Sequence, residues 1–209
     1  MKFRIDTTFF NFYRSIIAFN IKMKKYLFNS LTFFSLLFIF SCSNDARFEI
    51  QKGKVGHLNT KTKIQELSKI FENDSIVSKL SEGALGDNYF QDDDEYLIYD
   101  KKGKHLLTIV PKDQLDSTST IKSIQIFDDR YTTATGVNLK TAFADIRLNN
   151  NIDKIESSFS SATLFIDDLN VTIAIDKQEL GLKAFSNQKV TLEQIPDLAK
   201  MKSFIVWFF

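Results

Sequence analysis

An apolar run of about ten residues, Leu31 to Phe40, follows the pair Lys24-Lys25 and stops just short of the chain's only cysteine, Cys42. Basic residues, a short apolar stretch and a small residue are the layout of a secretory signal peptide. The charged end stays on the cytoplasmic side while the apolar stretch enters the translocon. The run is too short for a permanent membrane-spanning helix, which needs ~20 residues to cross ~30 Å of hydrocarbon. Whatever folds therefore folds after it. Four segments follow from this reading: an over-extended start at 1–22 ahead of Met23, the signal at 23–41, Cys42 with a tether at 42–47, and a single globular domain at 48–209.

Ile39-Phe40-Ser41-Cys42 resembles the lipobox of bacterial lipoproteins: an aliphatic residue, a variable one, a small one, then cysteine. The resemblance implies that Cys42 receives a diacylglyceryl group, that cleavage occurs before it, and that the new amino terminus is acylated, palmitate being the typical chain. Ser43 follows, so no Asp stands directly after the cysteine to suggest inner-membrane retention, and the expected location is the bacterial outer membrane. Each buried methylene contributes ~0.8 kcal/mol, and two or three chains on one cysteine anchor stably. The membrane is thus the first expected partner, reached through a lipid anchor.

Composition separates the leader from the rest. Residues 1–42 hold six basic groups and one acid; the whole chain has 27 and 26, which leaves 21 basic and 25 acidic groups, net −4, after Cys42. That balance gives no case for nucleic acid as a partner. A single cysteine excludes an internal disulfide, and with two histidines it leaves too few ligands for a zinc site. No metal or cofactor is expected.

The domain reads as α+β. Ile64, Leu67, Ile70 and Phe71 recur at helical spacing behind Asn59, Thr60 and Thr62, which predicts a helix from Thr62 to Phe71. Tyr96–Tyr99 and His105–Val110 predict a hairpin turning at Gly103, and Ile121–Phe127 a third strand. Thr141–Ile146 resembles the first helix in type, and Ala162–Ile166 with Val171–Ile175 forms a second hairpin; Gly56 and Gly136 precede the two helices. A single domain of two helix-plus-β-hairpin pseudo-repeats, packing helices on a mostly antiparallel sheet, is the expected fold. Leu192–Met201 reads as a short helical turn, and Phe204–Phe209 as a closing strand, either covered on both faces or an edge that adds to a partner sheet.

Several landmarks recur in a known order: Val55-Gly56-His57-Leu58, Ile121-Lys122-Ser123-Ile124-Gln125-Ile126-Phe127-Asp128, Thr135-Gly136-Val137, Lys140-Thr141-Ala142-Phe143-Ala144-Asp145-Ile146, Ile195-Pro196-Asp197-Leu198-Ala199 and Ile205-Val206-Trp207. Over residues 54–207 this resembles the sigma-E-regulated enterobacterial lipoproteins, a family without an assigned biochemical function. Leu139-Lys140-Thr141 departs from it by lacking a glycine. The resemblance implies an envelope lipoprotein connected to the stress response and carries over no catalytic residue.

Candidate chemistry is thin. Asp92-Asp93-Asp94-Glu95 is dense enough in oxygen to suggest Ca²⁺, but it lacks the alternate spacing and glycine of an EF-hand loop and reads better as a solvated loop. Asp128-Asp129 and Asp167-Asp168 read as turn acids. His57 and His105 are the only imidazoles available as general bases, and neither stands in a known nucleophile setting. Asp116-Ser117-Thr118-Ser119-Thr120 and Gly83-Ala84-Leu85-Gly86-Asp87 read as loops rather than an anion site and a phosphate loop. No catalytic residue is named; the leading expectation is a module that binds another envelope component. A hydrolase would place Asp92, Asp94, Asp128 or Asp167 in a cleft with a raised pKa, and a small-ligand carrier would need an apolar cavity.

Overall fold

The computed structural model describes residues 45–81, 93–183 and 185–209. Cys42, the signal segment, Asp92 and the Gly83–Asp87 stretch lie outside them. Among the described residues no helix is long and apolar enough to cross a membrane.

Alternating apolar and polar side chains fill most of the domain with strands. Among the described residues there are twelve: β1 Glu49–Gln51, β2 Lys54–Val55, β3 Leu58–Asn59, β4 Ser75–Lys79, β5 Glu95–Tyr99, β6 His105–Pro111, β7 Ile121–Ile126, β8 Thr132–Thr133, β9 Lys154–Ser157, β10 Ser161–Ile166, β11 Val171–Asp176 and β12 Met201–Trp207. They form a small sheet in the order β3-β2-β1-β8 and a large one in the order β4-β5-β6-β7-β12-β11-β10-β9. Every pairing in the large sheet is antiparallel. It consists of two four-stranded meanders, β4–β7 and β9–β12, joined where their last strands pair through Ile124 and Val206.

This overturns the expected α+β domain of helix-plus-hairpin pseudo-repeats packing helices on a sheet. The described residues are mostly β, with α1 at Leu67–Ile70 only four residues long and α2 at Phe143–Asn149 the one substantial helix among them. The predicted helix from Thr62 to Phe71 is a 3-10 turn, Ile64–Glu66, followed by α1. Helix nuclei are costly, and so short a segment takes the shape its tertiary bonds impose. Here the amides of Ile64 and Gln65 donate to the carbonyls of Ser119 and Ser117 at 3.0 and 2.8 Å, just ahead of β7. The second segment is tied likewise: the amides of Phe143 and Ala144 donate to Ala199 and Asp197 at 3.1 and 2.9 Å, just ahead of β12. Each is entered through the same turn, in which the Asn59 and Asn138 amides donate to the Thr62 and Thr141 hydroxyls, so the two threonines close turns rather than start long helices.

The two faces of the large sheet differ. Ile98, Leu107, Ile109, Ile124, Val206, Phe204, Ile173 and Leu164 point into the core, where they meet Ile50, Val55 and Leu58 of the small sheet and Phe143 and Ile146 of α2. On the opposite face one row of directly paired residues crosses all eight strands: Val77, Leu97, Thr108, Gln125, Ile205, Thr172, Phe165 and Lys154. None of these joins the core cluster. The closing strand β12 lies in the middle of the sheet between β11 and β7, so it is not an edge open to a partner, and it is buried on one face only.

Candidate functional site

The acids that sequence analysis singled out are folded into three different surroundings. Asp94, at the entry to β5, is fully buried; its carboxylate accepts the Ser81 amide and hydroxyl at 2.7 and 2.8 Å and the Leu115 amide at 2.6 Å. Burial acts to raise its pKa, but these donors outweigh it and hold the carboxyl below the usual range. Its neighbours face solvent: Asp93 accepts from Lys122 Nζ at 3.0 Å, and Glu95 stands 3.8 Å from Lys79. Asp93 and Asp94 point to different partners, and among the described residues no group of three or more His, Cys, Asp or Glu side chains is arranged to hold a metal ion.

Asp128 is the centre of an ion-pair network. Its buried carboxylate accepts from Arg130 Nε and Nη2 and from the Arg130 amide, and Lys104 Nζ lies 3.0 Å away. Burial again acts upward, and the Arg130 and Lys104 bonds override it, holding the carboxyl well below its ordinary value. Asp129 pairs with Lys140 and Lys104, and Asp100 with Arg130 at 3.7 Å. The Arg130 guanidinium also lies 4.3 Å over the Phe48 ring, which meets Tyr131 edge-on at 5.0 Å. These contacts fasten the chain before β1 to the β5–β6 turn and the segment after β7. They leave Asp128 no capacity to take or give a proton near neutral pH.

The histidines do not meet these acids. His57 is exposed in the turn between β2 and β3. His105 is stacked between Tyr99 and Phe127 at 4.8 and 4.0 Å, with Nε2 3.0 Å from the Leu107 carbonyl and 3.1 Å from the Thr108 hydroxyl. Burial lowers its pKa, which keeps the ring neutral and packed. The hydroxyl-rich loop is likewise self-satisfied: Asp116 accepts from the Thr118 amide and hydroxyl, and Ser119 bonds Asp113.

Asp167 is different. It lines a cleft of about 230 Å³ on the sheet face away from the core, with Phe165, Asn170, Val171, Thr172, Trp207 and Phe209. The strand period of two places Phe165 on β10, Thr172 on β11 and Trp207 on β12 on this same face, and carries Phe209 beyond the strand end to join them. The Trp207 indole N–H donates to Thr172 Oγ1 at 3.0 Å. Trp207 and Phe209 have ring centroids 6.4 Å apart and tilted by 33°, so they form adjoining walls rather than a stacked pair. Asn170 holds φ 52°, a left-handed turn conformation that Asn tolerates, and its carbonyl accepts the Trp207 amide at 2.8 Å. Among the described residues neither the Asp167 carboxylate nor the Asn170 side-chain amide is hydrogen-bonded. Sequence reading noticed the terminal aromatic run and the turn acids separately; the outward alternation of Phe165, Trp207 and Phe209 was the signal that could have joined them.

No family model and no curated protein matches the chain. Among solved structures it is similar to the uncharacterized protein yfeY from Escherichia coli, with a TM-score of 0.46 and 15% identity over 76% of this chain and 99% of that one.

Proposed function

We propose that the chain is a bacterial outer-membrane lipoprotein anchored through acylated Cys42, and that its β domain is a binding module for another envelope component in the envelope stress response. The anchor rests on the only cysteine ending the signal-like segment, and the link to stress on the ordered landmarks that resemble those of the sigma-E-regulated lipoproteins. The binding role rests on one observation: the row from Val77 to Lys154 on the second face of the large sheet. Gln125, Ile205 and Phe165 stand partly exposed there beside the buried Leu97, Thr108 and Thr172, a mixture of apolar and hydrogen-bonding groups suited to a wet, separable interface. A hydrolase built on loop carboxylates is the weaker reading, because Asp94 and Asp128 are shifted down rather than up.

Two measurements test the reading in parts. Palmitate labelling in cells is expected for the wild-type chain and lost in Cys42→Ala; label that persists in the variant refutes the anchor. A photo-cross-linking residue at Gln125 is expected to capture one envelope protein reproducibly, and the same residue at exposed Leu148 on α2 is not. Equal, unselective capture from both positions would remove the sheet face as the binding surface.

A further inference from the structure

We propose that the cleft between Phe165, Trp207 and Phe209 binds a small organic ammonium ion whose head is a quaternary or methylated nitrogen. The inference goes beyond the anchored-module reading and does not depend on it.

Size sets the first limit. A volume of about 230 Å³ lies below the roughly 300–1,000 Å³ of sites for drug-sized ligands, so the cleft takes one head group and not an extended chain. Chemistry sets the second. With its N–H committed to Thr172, Trp207 offers the cleft a π face and no donor. A quaternary ammonium donates no conventional hydrogen bond, and its charge, spread over methyl groups, is attracted by the negative faces of aromatic rings. Lys154 Nζ, which does not line the cleft, lies 5.4 Å from the Phe165 centroid, so the aromatic attraction for the ligand falls mainly to Trp207 and Phe209.

The counter-charge is Asp167, whose carboxylate has no ion pair among the described residues. Among the described residues no Lys or Arg lines the cleft; Lys52 Nζ bonds the Asp167 carbonyl at 2.9 Å, and Lys154 is paired with Glu156. An anion would meet the Asp167 carboxylate there with no lining cation to receive it. A sugar would need several fixed polar partners where the walls are mostly carbon.

Trp207 is the only tryptophan in the chain and therefore reports on the cleft directly. The full chain is titrated with choline chloride at constant ionic strength in a polyoxyethylene detergent, which carries neither ammonium nor sugar. Saturable change in indole emission is expected, and 3,3-dimethylbutanol, the same shape without the charge, is expected to bind about fivefold or more weakly. Phe209→Ala and Asp167→Asn are each expected to weaken choline about three- to tenfold. Phe209 is 80% exposed and Asp167 lies on the surface, so both variants keep the fold, which circular dichroism checks. No saturable response to choline, an equal response to the uncharged analogue, a response to glucose instead, or an unchanged affinity in Asp167→Asn each overturns the proposal. Palmitate labelling and cross-linking at Gln125 would be untouched by any of these results.

Discussion

Arg130 holds the Asp128 carboxylate from two residues away, with Nε 3.1 Å from both oxygens and Nη2 2.7 Å from Oδ2. A buried carboxylate is tolerable only with donors on both oxygens, and this one also has Lys104. Because both cations are about half exposed, the network is a clasp at the domain surface around one buried acid.

Asp128→Ala is expected to destabilise the domain by about 2–3 kcal/mol, because the two cations lose their common partner. The folded pKa of Asp128 lies below its unfolded value, so its contribution is fully present above the ordinary carboxylate range, near about 4, and is lost as pH falls from there toward the depressed folded value. Asp94 adds in the same direction. Urea midpoints of the wild type and the variant should therefore differ most near neutral pH, with the gap narrowing progressively as pH falls below about 4; a gap that widens in acid contradicts the assignment.

Gly56 stands at φ +56°, and a Cβ placed there would lie 2.2 Å from the Arg47 carbonyl oxygen. Gly56→Ala must move backbone as well as adopt a left-handed conformation, and is expected to lose about 3 kcal/mol or more. Gly103 has φ +79° with nothing within 4 Å of the added atom, so Gly103→Ala should lose only about 1–2 kcal/mol. Equal thermal shifts in the two variants would contradict the close approach at Gly56.

Lys177 is fully buried, and its ammonium donates to the carbonyls of Ser186 and Gln188 at 2.5 and 2.9 Å. It pins the segment between β11 and Val190 by reaching across it. Lys177→Met keeps the apolar stem and deletes the two bonds, with an expected loss of about 1–3 kcal/mol. Hydrogen exchange and protease cleavage should rise within residues 185–189 and stay unchanged at β6; uniform change across the sheet would argue that the bonds hold no particular segment.

The two faces of β12 should separate in mutation. Phe204 is 0% exposed in the core, and Phe204→Ala is expected to lose about 3–5 kcal/mol. Ile205 points to the opposite face, paired with Gln125 and Thr172, and Ile205→Thr should lose about 1 kcal/mol or less while impairing capture from Gln125. Chemical denaturation of both variants distinguishes this from a strand packed equally on both sides.

Strand locations were legible where apolar and β-branched residues run for four or more positions, as at Tyr96–Tyr99, His105–Val110 and Val171–Ile175. The strands β4 and β9 escaped notice because they are edges, and Ser-Ile-Val-Ser-Lys and Lys-Ile-Glu-Ser need an apolar side chain only where they touch the sheet. The first helix was over-read for a related reason. Ile64, Leu67 and Phe71 are all buried, as their spacing implies, but a 3-10 turn and a single α turn satisfy that spacing as well as a longer helix does. For the cleft, the sequence listed its parts without joining them: Asp167 is one turn acid among several, and only the register of β10, β11 and β12 puts Phe165, Thr172 and Trp207 side by side.

What the sequence determined by itself is local: where the apolar run ahead of Cys42 ends, which segments have strand-like apolar patterning, and which turns need glycine or asparagine. Only the tertiary structure decided that the last strand lies at the centre of the large sheet, that Asp128 is buried beneath Arg130 while the Asp167 carboxylate bonds none of the described residues, and that two meanders share one core. The reason is physical. Periodicity records which side chains of one segment share a face, whereas strand order, ion pairing and cleft walls arise from contacts between segments up to about a hundred residues apart, whose geometry is set by the packing of the whole core.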